Sequence, residues 1–265
     1  MIELFTMNTV SFCIFGVPAY FFCTTIGFVI TTCVYIMLVS SKKYDISQGI
    51  KIFFISILGV ILDAKLFGFL TGIYRDIGMH KSITINTLLD TGIVFYGGLF
   101  GIIIGYLLCL KMKYQDIDKH ILDILAVCIP LFHSIGRIGC FLSGCCYGKN
   151  YDGMIAINYI TVINNCRNES MRFPIQLVEA LFEFIVFVYL LFLLKSKEWE
   201  SKKLLVRYLT MYSFARFFFE FLRGDIRRGI IQGISFSQCI SVFIWTILFF
   251  LYVKQNILKR EDYNG

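Results

Sequence analysis

The sequence has 265 residues, of which 57% are hydrophobic and only 16% are charged, and its mean hydropathy is +0.73. In soluble domains roughly a quarter of all residues are charged, so this composition excludes an ordinary soluble protein. The net charge of +7 suits contact with anionic lipid headgroups. Because the basic residues are dispersed along the chain, a nucleic-acid-binding protein is not indicated.

Runs of apolar residues predict transmembrane helices. A helix of about 20 apolar residues crosses the hydrocarbon core of a bilayer and satisfies its own backbone hydrogen bonds. We therefore expect an all-α polytopic membrane protein with about seven helices in a single integral membrane domain, residues 1–265. In chain order, the predicted spans are approximately 11–39, 52–73, 91–110, 121–142, 174–194, 205–222 and 234–253.

The distribution of lysine predicts the orientation of these spans. The N-terminal MIELFTMNTV lacks basic residues, so the first span does not resemble a cleavable signal peptide. Lysines gather in the connections after the first, third and fifth spans and in the C-terminal tail. Because cytoplasmic loops are enriched in lysine and arginine, we expect the N-terminus outside and the C-terminus in the cytoplasm. The connection at about 143–173 is then a small extracytoplasmic cap.

The third predicted span contains the glycine-rich sequence FYGGLFGIIIGY, residues 95–106. Tyr96 supplies a hydroxyl near one end of this span. Gly97, Gly98 and the glycines that follow allow a second backbone or a lipid to approach closely. Helix packing and lipid binding both explain such a glycine face.

The fourth predicted span ends in GRIGCFLSGCCYG, residues 136–148, which places an arginine in an apolar region. A charged side chain inside a bilayer is costly unless it is paired or faces water, so Arg137 is a candidate functional residue. Gly136 and Gly139 leave its guanidinium unshielded, and the planar fork of donors suits a phosphate. His133 lies one helical turn earlier and is interpreted either as a packed residue or as part of a site.

Three of the ten cysteines, Cys140, Cys145 and Cys146, lie in the same motif. Their spacing matches neither a CxxC redox pair nor a four-ligand zinc array, so we expect no metal and no cofactor. Three roles stay open for these thiols: apolar packing, a disulfide that involves Cys166, and direct participation in chemistry.

The sequence RFFFEFLRGD, residues 216–225, contains a second cluster of charges. Arg216, Glu220 and Arg223 are spaced by four and three residues, which places them on one face of a helix. A purely structural cluster would neutralise Glu220 with both arginines. Two arginines against one carboxylate leave a surplus positive charge, which an anionic lipid headgroup would balance. The residues alone therefore predict an outward-facing, arginine-lined site for a ligand that bears a phosphate.

These motifs resemble those of the prolipoprotein diacylglyceryl transferase family. GRIGCFLSGCCYG is similar to the family signature Gly-Arg-x-Gly-Asn-Phe-x-Asn-x-Glu-x-x-Gly. TGIVFYGGLFG is similar to a His-Gly-Gly-Leu segment, FPIQLVEA to a His-Pro-x-Gln-Leu-Tyr-Glu segment, and RFFFEFLRGD to an Arg-x-x-x-Glu-x-x-Arg helix. The order and spacing of the motifs agree along nearly the whole chain.

The resemblance implies a multi-pass enzyme of the bacterial cytoplasmic (inner) membrane. Such an enzyme transfers the diacylglyceryl group of phosphatidylglycerol to the lipobox cysteine of a prolipoprotein signal peptide, within the lipid bilayer and without a metal or cofactor. Arg137 and Arg216 match the family's essential arginines, and Tyr96 is a third candidate catalytic residue. The predicted substrate-binding residues are Gly97, Gly98, Gly136, Gly139, Ser143, Gln176, Glu220 and Arg223.

The chain also departs from the family pattern. Tyr96 stands where the family has histidine, and residues of the signature and of the FPIQLVEA segment are replaced as well. These substitutions remove groups that could orient the lipid or deprotonate the acceptor thiol. Two alternatives therefore stay open: a divergent paralogue with another acceptor, and a lipid-headgroup binder or transporter without transfer chemistry. The remaining replacements are Cys140, Ser143, Cys145, Phe173 and Val178.

Overall fold

The computed structural model describes residues 6–8, 13–78, 95–111, 121–163, 166–196, 203–224 and 230–264. The helices are α1 (Ala19–Ser41), α2 (Ile46–Gly78), α3 (Phe95–Lys111), α4 (Ile121–Leu142), α5 (Ile175–Lys195), α6 (Lys203–Phe219) and α7 (Phe236–Asn264), and a 3-10 turn (Glu220–Leu222) continues α6. The strands are β1 (Thr6–Asn8), β2 (Cys13–Ile14), β3 (Val17–Pro18), β4 (Ile157–Ile163), β5 (Cys166–Arg172), β6 (Ile230–Ile231) and β7 (Ile234–Ser235).

Five of the described helices are long and apolar enough to cross a membrane: α1, α2, α4, α5 and the part of α7 from Phe236 to Lys254. The prediction of an all-α polytopic membrane protein is confirmed. Helix α3 is apolar but has only 17 residues, and α6 has the same length. The number of crossings and the orientation in the membrane stay predictions.

Several helix ends differ from the predicted spans. The first span was expected from residue 11, whereas α1 begins at Ala19, because the short β2–β3 hairpin and Pro18 precede it. The turn of this hairpin requires positive φ angles at Phe15 (52°) and Gly16 (78°), which are incompatible with a continuing helix. The sixth span was expected to reach residue 222, whereas the α-helix ends at Phe219 and tightens into the 3-10 turn. Helix α4 covers the same residues as the predicted fourth span.

Helix α4 lies at the centre of the described helices and packs against α1, α5 and α6. Most of its residues are buried, unlike those of the other apolar helices. The Ser134 hydroxyl donates to the Ala180 carbonyl of α5 at 2.8 Å, and the Leu204 amide of α6 donates to the Asp123 carboxylate at 3.1 Å. Because α4 is enclosed in this way, its polar residues face protein groups on neighbouring helices.

Helices α2 and α3 approach each other so closely that their backbones touch. Gly97, Gly101 and Gly105 are four residues apart and line the face of α3 that meets α2. A Cβ atom at Gly97 would collide with the backbone of Asp63, and one at Gly101 with the backbone of Gly59. This glycine face therefore serves helix packing, one of its two predicted roles.

The predicted cap at 143–173 contains the antiparallel hairpin of β4 and β5, and β1 adds to β4 in parallel. The hairpin contacts the start of α5, because the buried Tyr159 hydroxyl lies 3.3 Å from Gln176 Oε1. The guanidinium of Arg172 lies 4.2 Å from the ring centroid of Tyr147, a cation–π contact. These contacts hold the strands of the cap over the end of α4.

The Gly101→Ala substitution tests the backbone contact between α2 and α3. The added methyl group has no space, so we expect a loss of about 2 kcal/mol and a fall in the unfolding temperature of about 5 °C. The unfolding temperature of the detergent-solubilised protein measures this effect. Gly136→Ala is the matched control, because a Cβ there meets nothing within 4 Å. Equal unfolding temperatures for the wild type and Gly101→Ala would contradict the close contact.

Candidate active site

A single carboxylate joins the two arginines that the sequence motifs single out. Glu179 of α5 places Oε2 at 2.9 Å from Nε of Arg137 and Oε1 at 2.8 Å from Nη1 of Arg216. All three side chains are buried. The expected convergence of Arg137 and Arg216 is therefore present, and the group between them is Glu179.

Arg216 also pairs with a second carboxylate. Its Nη2 lies 2.9 Å from Glu220 Oε2 and donates to the Ser237 hydroxyl of α7 at 3.4 Å. The sequence analysis expected a surplus of positive charge on this helix, and that expectation is wrong. It counted only one carboxylate, whereas Glu179 and Glu183 of α5 also face the buried arginines and histidine of this region.

His133 belongs to the same network. Its Nε2 accepts a hydrogen bond from Arg137 Nε at 3.1 Å, and its Nδ1 lies 3.1 Å from Glu183 Oε1. Tyr208 donates to the other oxygen of Glu183 at 3.4 Å, and the ring of Phe95 stacks on the imidazole at 3.6 Å. Since Nε2 accepts, Nδ1 carries the ring proton; it makes a close polar contact with Glu183 but forms no hydrogen bond with a described residue. His133 is thus a residue of the site as well as a packed one.

Part of the Arg137 guanidinium is left available for a ligand. Among the residues that the structure describes, the hydrogen bond of Arg137 to His133 and its closest approach to Glu179 both involve Nε, and neither Nη1 nor Nη2 forms a hydrogen bond. The adjacent Gly136 borders open space. Four N–H groups in a planar fork suit a phosphate or carboxylate.

Tyr96 is connected to Ser237, a partner of Arg216, through Ser241. Its hydroxyl is 2.6 Å from Ser241 Oγ, and Ser241 donates to the Ser237 carbonyl at 3.0 Å. A hydroxyl has one proton, so Tyr96 is the donor to Ser241. The proton that Tyr96 could offer to a ligand is therefore already used within the protein.

Arg223 does not share a helix face with Arg216 and Glu220, so this part of the prediction is wrong. The α-helix has ended before it, and Arg223 is extended, with φ −78° and ψ 145°. It forms an antiparallel bridge with Gly148, which directly follows the cysteine motif. Arg223 therefore lies beside the cysteine turn.

Gln176, predicted to bind substrate, holds this cysteine turn. Its Nε2 donates to the Cys145 carbonyl at 2.7 Å and contacts the Tyr159 hydroxyl at 3.1 Å. The strand-like segment that follows is held on both sides, since Gly148 N donates to the Phe173 carbonyl at 3.1 Å and Gly224 N to the Tyr147 carbonyl at 3.0 Å. The turn is fixed by the ends of α4, α5 and α6 together.

The three cysteines of the turn are close together. The Sγ atoms of Cys140, Cys145 and Cys146 all lie within 4.8 Å of one another, and each cysteine is a free thiol. Hydrogen bonds from the Cys140 and Cys145 thiols, and then the charges of Arg223 and Arg137, lower the pKa of Cys146 well below its ordinary value. The predicted disulfide through Cys166 concerns a side chain outside the described part of the structure.

The remaining predicted binding residues fall into two groups: glycines at helix contacts, and Ser143. Gly97 packs against α2, a Cβ added at Gly98 would lie 3.3 Å from a Val60 methyl group, and Gly139 packs against Cys23 of α1. These glycines set helix contacts, whereas Ser143 has a buried hydroxyl without a hydrogen-bond partner among the described residues. Ser143 stays a predicted binding residue.

The sequence analysis missed Glu179 and Glu183 although a signal was present. Both lie in the apolar run of the fifth span and are four residues apart, on one helix face. An acidic residue within a membrane helix faces a partner by default, so LVEALFEF already predicts two buried ion pairs.

The Glu179→Gln substitution tests whether this carboxylate stabilises the buried arginines. Two buried guanidinium groups would lose their shared counter-charge, so we expect a loss of about 3 kcal/mol in the free energy of unfolding. Denaturation of the purified protein measures it. Glu169→Gln, at an exposed carboxylate of β5, is the control and should change stability by less than about 0.5 kcal/mol. Equal stabilities of the two variants would contradict the bridge.

Comparison with known proteins identifies the family of this chain. Residues 8–254 match the family model described as prolipoprotein diacylglyceryl transferase. A phosphatidylglycerol–prolipoprotein diacylglyceryl transferase of Clostridium tetani is 32% identical, over 96% of this chain and 100% of that protein. The transferase 2 of Clostridium perfringens is 29% identical (94% and 96%), and the enzyme of Campylobacter hominis is 30% identical (96% and 92%). The chain therefore belongs to the prolipoprotein diacylglyceryl transferase family.

Proposed function

We propose that this protein transfers the diacylglyceryl group of phosphatidylglycerol to the cysteine thiol of a prolipoprotein. Family membership and the printed names of the relatives support this activity. The lipobox cysteine of the signal peptide is the proposed acceptor, and the bacterial cytoplasmic membrane is the proposed location. The apolar helices and the family make it a multi-pass membrane protein.

The proposal rests on the guanidinium of Arg137, in which Nε contacts described protein groups while the two Nη groups form no hydrogen bond with them. Its Nε is engaged by Glu179 and His133, which fixes the plane of the group. Its Nη1 and Nη2 groups, which no described protein acceptor engages, offer parallel donors for two oxygens of one lipid phosphate. Gly136 leaves room for that phosphate beside the helix.

The arginines stabilise the departing phosphate. The acceptor thiol gives up its proton, its sulfur forms a bond to C3 of the glyceryl group, and the bond between C3 and the phosphate oxygen breaks. Glycerol phosphate leaves with that electron pair and, in the overall reaction, takes up the proton. Negative charge on the phosphate increases during this step, and fixed donors in a water-poor site stabilise it strongly. Arg137 contacts the phosphate, whereas Arg216, whose Nη groups are engaged, acts as a positioning residue through Glu179.

His133 is the second positioning residue of the proposal. Its Nε2 lone pair accepts from Arg137, so it is not available to take a proton from an incoming thiol in this arrangement. Its Nδ1 contact with Glu183 sets the ring orientation. His133 therefore orients the phosphate-binding guanidinium and does not substitute for a general base.

Purified protein supplied with phosphatidylglycerol and a lipobox peptide should form a thioether-linked product, which mass spectrometry detects. Arg137→Ala should lower the rate by about a hundredfold or more, since a fixed donor to the leaving group is lost. Arg137→Lys should also be impaired, because a single ammonium cannot replace the planar fork.

Arg207→Ala is the matched control, because Arg207 lies on α6 with Arg216 but is exposed. Its rate should equal that of the wild type. Lipid that co-purifies and exchanges without consumption, together with no peptide product, would favour a headgroup binder and contradict the transferase proposal. Full activity of Arg137→Ala would contradict the assigned role of this arginine.

A further inference from the structure

The three thiols of the cysteine turn form a preorganised cluster. Cys140 is buried at the end of α4, Cys146 is partly buried, and Cys145 is exposed. Their Sγ atoms lie within 4.8 Å of one another, which is close to the spacing of three sulfur ligands around one metal ion. The cluster therefore differs from scattered cysteines that pack as small apolar residues.

The backbone of the turn is held in a conformation that brings the thiols together. The Cys145 amide donates to the Cys140 carbonyl at 3.1 Å, and Gln176 fixes the Cys145 carbonyl from α5. Gly144 and Cys146 adopt positive φ angles of 64° and 57°. A non-glycine residue in this region is uncommon, so the turn is specified by its surroundings.

Catalytic zinc sites have three protein ligands and an open fourth position, and three cysteines form such a ligand set in some zinc deaminases. The exposed Cys145 side gives a route for a fourth ligand. Three thiolates around Zn²⁺ carry a net negative charge, and the charges of Arg223 and Arg137 act on Cys146 from nearby.

We propose that Cys140, Cys145 and Cys146 bind a zinc ion whose fourth position takes the acceptor thiol of the substrate. This inference rests on the proposed transferase function. It explains how a thiol becomes reactive at a site where the imidazole of His133 is already engaged.

The substrate thiol loses its proton on coordination, because a metal-bound thiol is deprotonated. The coordinated sulfur then forms its bond to C3 of the glyceryl group while the C3–O bond breaks. The phosphate oxygen keeps that electron pair, glycerol phosphate takes up a proton, and the thioether product leaves the metal.

The position of the cluster relative to Arg137 fits this step. Cys140 follows Arg137 by three residues on α4, so the two side chains lie one helical turn apart on the same face. A nucleophile held by the cluster and a phosphate held by Arg137 would approach the glyceryl carbon from neighbouring places. A displacement requires the entering sulfur and the leaving oxygen on opposite sides of the glyceryl carbon, so this carbon would lie between the cluster and the phosphate.

The test is metal binding by the full-length, reduced protein in detergent. Zinc content by mass spectrometry should be about one ion per chain, and Co²⁺ in its place should give the sulfur-to-metal charge-transfer absorption of a thiolate site. Cys140→Ser and Cys146→Ser should each lower zinc affinity by at least about a hundredfold. Cys33→Ser, at an exposed cysteine of α1, should keep the wild-type value.

Lipobox peptide should change the Co²⁺ spectrum, whereas a peptide with serine in place of the lipobox cysteine should not. Absence of zinc and cobalt binding, or a disulfide between Cys140 and either neighbour in the active protein, would overturn the inference. Transfer activity without bound metal would also overturn it while leaving the proposed function intact. Thiolate-bound metal in a protein without transfer activity would support the site and count against the proposed function.

Discussion

The shared carboxylate of Glu179 is the interaction on which the site depends. It binds Nε of Arg137 with one oxygen and Nη1 of Arg216 with the other, and so connects α4, α5 and α6. Two buried guanidinium groups in a membrane protein need such a counter-charge, because an unpaired buried charge is strongly destabilising. The same contact fixes the plane of the Arg137 guanidinium and therefore the direction of its Nη groups. These Nη groups have no acceptor among the described residues.

Buried charges around this carboxylate are arranged so that the resting site is close to balanced. Arg216 has Glu220 as a second partner, and His133 lies between Arg137 and Glu183. A phosphate that binds Arg137 therefore joins a network in which Arg137 and Arg216 already have carboxylate partners. It does not neutralise an unpaired arginine. Binding strength would then come from donor geometry and a water-poor environment more than from net charge.

Periodicity and the cost of buried charge were sufficient to predict the membrane fold, the bounds of α4 and the convergence of Arg137 with Arg216. The partners were not predicted, although Glu179 and Glu183 lie four residues apart in an apolar run. Arg223 was misplaced because helical spacing was extended past Phe219, where the chain tightens and leaves the helix. The cysteine cluster could not be predicted, since it depends on a turn with positive φ at Cys146 and on contacts from distant residues.

The central claim is that Arg137 binds the lipid phosphate directly while Arg216 is held by protein carboxylates. Solid-state NMR of protein with ¹⁵N-labelled arginine, bound to phosphatidylglycerol, measures the phosphorus–nitrogen couplings, and Arg137→Lys and Arg216→Lys assign the signals. The account predicts strong coupling from phosphorus to the Nη groups of Arg137 and weak coupling to Arg216. No coupling to Arg137, with the lipid phosphate bound at another arginine, would contradict it.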